Sequence, residues 1–202
     1  MQVEVFADVW CPFTHVGLRR FVELRRRMAA PPVLVVRSWP LELVNGAPMD
    51  PDFIAEEVDD IRASVAPDLF GGFDVGRFPT TTLGALALTG QAYEQSPATG
   101  EAVALELRDR LFERGEDIGD PDVLAAVAAR HRLPADAAEH HDIPERDWHE
   151  GRERGVIGSP HFFTPGGDWF CPALDVSRAA DGHLRITADP EGFDAFVRSC
   201  ST

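Results

Sequence analysis

The chain has 202 residues, enough for one large domain or for a core carrying an inserted unit, and its 44% apolar content is that of an ordinary globular protein. Its 19 basic residues, all arginine, face 34 acidic ones, and the net charge of −15 disfavours nucleic acid and anionic membranes as partners. No apolar run approaches the ~20 residues of a membrane helix, and the chain enters a strand pattern at Val3 without a secretory signal, so the expected compartment is the cytoplasm; the lack of lysine points to a high-GC bacterial genome.

Val3 to Val9 reads as a strand and His15 to Met28 as a helix. Between them stands Cys11-Pro12-Phe13-Thr14, which puts Cys11 at a helix start. Unpaired N–H groups and the helix dipole favour an anion there, which predicts a thiol pKa lowered from about 8.5 to roughly 3.5–7.5. Pro31-Pro32 ends the helix, and Val33 to Trp39, rich in branched residues, is a second strand; together they make a right-handed βαβ unit with parallel strands.

From about Asp50 to Gly151 the pattern is helical. Helices are expected at 51–64, Thr82 to Gln95, Ala98 to Arg114 and from Asp120-Pro121 to His131, with further helix over Asp136 to Arg154 interrupted near Pro144. The stretch Pro67 to Pro79 is a loop, and Glu56-Glu57 with Asp59-Asp60 is a solvated helix face. The sheet pattern then returns: His161 to Thr164 and Trp169 to Cys171 flank a turn as a hairpin, and His183 to Thr187 adds an edge strand. Asp189-Pro190 caps a last helix with Phe193, Phe196 and Val197 on one face. No repeat and no low-complexity segment appears.

Three cysteines, Cys11, Cys171 and Cys200, are too few for a disulfide framework and show no metal spacing. His140-His141 with His149 and Glu150 is not read as a metal site, because adjacent helical histidines diverge and no cysteine is near.

Five short pieces carry a resemblance. They are Asp8-Val9-Trp10-Cys11-Pro12-Phe13, Trp39-Pro40-Leu41-Glu42-Leu43, Phe78-Pro79-Thr80-Thr81-Thr82, Arg114 to Asp120, and Gly155-Val156-Ile157-Gly158-Ser159-Pro160. In this order the chain resembles the DsbA-type thioredoxin-like family, in its cytoplasmic branch close to FrnE-like proteins. The resemblance implies an α/β, thioredoxin-like fold over 1–48 and 152–202 with a helical domain, 49–151, inserted before the cis-proline strand. It places the nucleophile on Cys11 and the cis-proline on Pro160, with Ser159 turned toward the substrate backbone.

Thr14 departs from the family pattern, because it stands where C-x-x-C has its second, resolving thiol. Its hydroxyl can hydrogen-bond a Cys11 thiolate but cannot displace a disulfide sulfur. The first reading is therefore a monothiol thiol–disulfide oxidoreductase with Cys11, Thr14 and Pro160 as the catalytic set. Trp10, Pro12, Phe13, Trp39, Ser159 and His161 form the substrate-binding set. A second reading is a glutathione- or other small-thiol-dependent transferase or isomerase, similar to kappa-class glutathione transferases and 2-hydroxychromene-2-carboxylate isomerases. In that case Trp10, Phe13, Trp39 and Phe70, Phe73 and Phe78 line an apolar pocket. A third is a non-catalytic binding module. His15 and His161 flank the site in sequence, and His161 points either toward Cys11 or into the fold. Cys171 is expected too far from Cys11 to resolve it and buried as an apolar residue; Cys200 is incidental. No tightly bound cofactor and no metal are expected, only glutathione or another low-molecular-weight thiol. The expected partner is a small thiol or disulfide or a protein disulfide, with a homodimer left open as the assembly.

Overall fold

Strand β1 (Gln2–Ala7) lies inside a four-stranded sheet, and its period-two pattern decides what covers each face. The computed structural model describes residues 1–178 and 184–200. In it β1 runs parallel to β2 (Val33–Ser38) after the crossover helix α1 (Pro12–Arg25). It runs antiparallel to β3 (His161–Thr164), which pairs in turn with β4 (Gly167–Phe170), giving the order β2-β1-β3-β4. Val3, Val5 and Ala7 face Leu18 and Phe21 of α1 and Phe196 of α8 (Pro190–Ser199). On the other face Phe6 packs with Trp39, Val156, Phe163 and Trp148 of α7 (Asp142–Glu153). Gly151 lets α7 approach this closely: a Cβ there would lie 2.7 Å from the Trp39 ring and 3.0 Å from Phe6.

The chain between β2 and β3 is helical, with no strand. It holds α2 (Leu41–Asn45), α3 (Pro51–Ser64), α4 (Leu83–Gln95), α5 (Pro97–Arg114), α6 (Pro121–His131) and α7. Three of these starts share one device. Asp50, Ser96 and Asp120 each accept a hydrogen bond from a first-turn N–H, and a proline follows where an N–H has no intrahelical partner to lose. Ile54, Val58, Ile61, Leu86, Leu107 and Leu111 close the core of this block. The block also covers the free edge of β2. Tyr93 Oη accepts from Val36 N–H (2.9 Å) and donates to the Leu34 carbonyl (3.2 Å), and Asp147 Oδ2 accepts from Ser38 N–H (3.0 Å).

Two expectations are corrected. Pro144 does not interrupt a helix. It sits in the first turn of α7, where it costs no hydrogen bond, and the break falls earlier, between a 3₁₀ turn at Ala137–Glu139 and Asp142. The strand near Thr187 adds no edge to the main sheet: β6 (Leu184–Ala188) pairs with an unforeseen β5 (Leu174–Arg178) in a separate two-stranded sheet. His183 lies outside the described residues. The chain leaves the main sheet at Cys171, whose φ of 45° is left-handed, and Leu174 and Ile186 then pack on the helical core while Leu184 N–H donates to Asp60 of α3 (2.9 Å). Helix α2 is an addition to the expected elements, a single turn that buries no residue fully and so shows no apolar period.

Candidate active site

Cys11 is the N-cap of α1, placed there by Pro12 at the first helical position. The Ser159–Pro160 peptide is cis and lies against it. Cys11 Sγ donates to the Ser159 carbonyl at 3.1 Å. Thr14 Oγ1 and Ser159 Oγ are hydrogen-bonded at 2.9 Å, and Ser159 Oγ also accepts from Asp8 N–H at 3.0 Å. Cys11, Thr14, Ser159 and the end of β1 thus form one connected cluster, joining residues about 150 positions apart in sequence.

The electrostatics of the thiol run against the sequence expectation. Burial pushes the Cys11 pKa above its ordinary value. Side-chain hydrogen bonds from Thr14 and Ser159 and the Thr14 backbone oppose that rise, and the Glu57 carboxylate adds to it. Only 4% of Cys11 is exposed, and at that burial desolvation of the thiolate outweighs the helix start. The resting sulfur is a thiol, which fits its donation to the Ser159 carbonyl.

Beneath the cluster are two buried charges that the sequence reading missed. Asp8 Oδ1 and Oδ2 accept from Val9 and Leu41 N–H at 2.6 Å each, yet burial raises its carboxyl to about 6. Arg108 of α5 is fully buried and donates to the carbonyls of Ala104 (2.8 Å) and Asp8 (3.1 Å). Burial lowers its pKa to about 10, while Asp8 and Cys11 favour its charged form. A sequence signal existed: Ala104, Arg108 and Leu111 repeat at helical spacing, which sets a cation on an apolar face.

The predicted substrate-binding residues separate into two groups. Phe13 and Ser159 line a cavity of ≈ 360 Å³ with Phe170, Cys171, Leu174 and the β5 residues Asp175 and Val176. Pro12 is buried at the start of α1. Trp10 and Trp39 are core: Trp10 stacks on Phe78 at 5.7 Å, and Trp39 packs on Phe6 and Val156. Phe70 is buried there too, and Phe73 packs on its margin, so the apolar pocket expected from these aromatics is filled by their own packing. His161 points into the fold. Its Nδ1 accepts from Ile157 N–H (3.2 Å), which leaves the proton on Nε2 facing Asp168 Oδ2 (3.4 Å), and its ring stacks on Phe163. His15 is likewise buried, with Nε2 2.7 Å from Glu113 and its ring beside Phe70 and Phe112.

Cys171 is nearer the site than strand order suggested. In the antiparallel hairpin the end of β4 returns to the start of β3, and Cys171 N–H donates to the Pro160 carbonyl at 3.0 Å. Burial, reinforced by Cys11, pushes its pKa up to about 12, which keeps it a protonated thiol. Cys200 caps α8 in the core, donates to the Phe196 carbonyl and is raised to about 11 by burial. Among the described residues no three His, Cys, Asp or Glu side chains gather as metal ligands, and no helix is long and apolar enough to cross a membrane.

The model of the DSBA-like thioredoxin domain family matches residues 2–181. Solved structures share the fold at low identity. A 2-hydroxychromene-2-carboxylate isomerase is 15% identical over 84% of this chain and 88% of its own, with a TM-score of 0.63. A probable DsbA oxidoreductase from Streptomyces coelicolor is 19% identical over 80% of this chain and 79% of its own, at 0.59. The cytosolic disulfide reductase DsbM from Pseudomonas aeruginosa is 15% identical over 98% of this chain and 97% of its own, at 0.57. No curated protein matches the chain significantly.

Proposed function

Since the chain belongs to the DSBA-like thioredoxin domain family, we propose that it is a thiol–disulfide oxidoreductase of monothiol type with Cys11 as its nucleophile. One observation carries this reading: the Cys11 sulfur stands at the start of α1 against the Ser159–Pro160 peptide, and the place of a second motif thiol is held by Thr14, bonded to Ser159.

The cycle needs two exchanges. The Cys11 thiolate attacks a disulfide RS–SR, forming Cys11–S–SR and releasing RS⁻. A low-molecular-weight thiol R′SH, glutathione or another, then attacks that mixed disulfide as R′S⁻, releasing R′S–SR and regenerating the Cys11 thiolate. Thr14 supplies a hydrogen bond to the charged sulfur and no second thiol. A structure of the P. aeruginosa reductase was solved with GSH. That reductase is cytosolic by its description, and the same compartment is proposed for this chain.

Cys11→Ser removes the nucleophile and abolishes disulfide exchange, read as loss of mixed-disulfide mass after exposure to 2-hydroxyethyl disulfide. Thr14→Cys raises insulin-disulfide turnover without added small thiol by at least about tenfold, because the resolving thiol becomes internal. Iodoacetamide alkylation of Cys11 titrates above the ~8.5 of a free cysteine. Efficient wild-type turnover without a small thiol overturns the monothiol cycle, and an alkylation midpoint below 8.5 overturns the burial argument.

A further inference from the structure

Resting on that reading, the geometry points to the substrate class: the cavity beside Cys11 takes neutral or cationic small thiols and disulfides with apolar bodies, and discriminates against anionic ones. Its walls are Phe13, Phe170, Leu174 and Val176, and its polar lining is Ser159, Cys171 and Asp175. At ≈ 360 Å³ it has the size of a small-ligand site. Phe170 is half exposed and Val176 38% exposed, so apolar side chains stand at the mouth.

Among the described lining residues the charge has one sign. Asp175 is the acidic side chain of the lining, and none of the described lining residues is an arginine or histidine. Glu57 of α3 acts on the Cys11 sulfur in the same sense, and the Cys171 thiol stays neutral. The whole chain carries −15. An incoming carboxylate therefore meets repulsion from Asp175 and the global field, and none of the described lining residues is a cation that could bind it. A neutral disulfide meets no such repulsion, and a cationic one is drawn in. Fields of this kind change association rates by about 10–10³-fold. By this argument glutathione, with two carboxylates to one ammonium, resolves the mixed disulfide more slowly than a neutral thiol of similar reactivity.

The test uses three disulfides of similar size: cystamine, 2-hydroxyethyl disulfide and 3,3′-dithiodipropionate. The rate of Cys11 adduct formation is read by intact mass, and each rate is divided by that of the same disulfide with a free neutral thiol, which removes intrinsic reactivity. The expected order is cystamine, then 2-hydroxyethyl disulfide, then dithiodipropionate, with at least about tenfold between the ends at low salt, narrowing as salt screens the field. Asp175→Asn lowers the cystamine-to-dithiodipropionate ratio by at least about threefold. Normalised rates that are equal, or ordered toward the dianion, overturn this inference while leaving the exchange chemistry standing. Absence of an adduct with all three overturns the exchange chemistry and the inference with it.

Discussion

Cys11 separates two surroundings of opposite construction. On its inner side Asp8, Thr14, Ser159 and Arg108 form a buried polar cluster in which most donors and acceptors are paired. On its outer side Phe13, Phe170, Leu174 and Val176 form an apolar cavity open to solvent, with Asp175 at its edge. The inner side fixes where the sulfur sits and how readily it ionises. The outer side decides what reaches it. Changes on the inner side should therefore appear as stability and proton linkage, and changes on the outer side as substrate preference with little effect on folding.

The largest expected effect is at Asp8. Its folded pKa of about 6 lies above the ordinary 3.8, so the folded state holds a proton that the unfolded state has released. Its contribution to stability is fully present below 3.8 and is lost as pH rises through the folded value of about 6. A shift of about two units corresponds to about 3 kcal/mol. Urea unfolding of the wild type should lose about that much between pH 4 and pH 7 relative to Asp8→Asn, in which this titration is gone. Parallel pH profiles for the two proteins would show that Asp8 ionises freely and that the inner side is wetter than described.

Next comes Ser159→Ala. It takes away the acceptor for Asp8 N–H and the partner of Thr14, both in the buried cluster. An unpaired buried donor costs ~1–3 kcal/mol, so the midpoint of urea unfolding should fall with an unchanged m-value. A loss below ~0.5 kcal/mol would mean that water replaces the hydroxyl and that the cluster is not closed.

The two sides were unequally legible in the sequence. The strand–helix junction at Cys11, the Pro12 start and the Ser159-Pro160 loop are local signals, so the elements around the sulfur could be placed from pattern alone. The helical block was legible for the same reason, through Asp50-Pro51 and Asp120-Pro121. What pattern could not give was depth. The helix-start argument for a low thiol pKa holds for an exposed cysteine, and nothing at position 11 announces that Trp10, Thr14 and Arg108 would all be buried around it. Trp10 and Trp39 failed as substrate contacts for a related reason: an aromatic near a catalytic motif reads alike whether it faces a cavity or the core. The outer side was least legible, because it is assembled by β5, after a left-handed turn at Cys171 that no glycine marks.

The smallest effect, and the sharpest probe of the outer side, is Gly158→Ala. Gly158 has no left-handed φ, so its backbone accepts alanine. A Cβ there would lie 2.7 Å from Cε2 of Phe170, which forms one wall of the cavity. Phe170 is half exposed, so relief is expected from the side chain and not from the backbone. Stability should change by less than about 1 kcal/mol. The displaced ring moves over the cavity mouth, and capture of the neutral aromatic disulfide 4,4′-dithiodipyridine by Cys11 should slow by roughly two- to fivefold, the scale of a contact change under 1 kcal/mol. Capture of the slimmer 2-hydroxyethyl disulfide should slow less. Equal slowing of both would place the effect on the sulfur itself, through the Ser159 carbonyl next in sequence, and would erase the division between the two sides. A large loss of stability would show instead that Phe170 is held in place by the fold, so that the mouth is as rigid as the buried cluster beneath it.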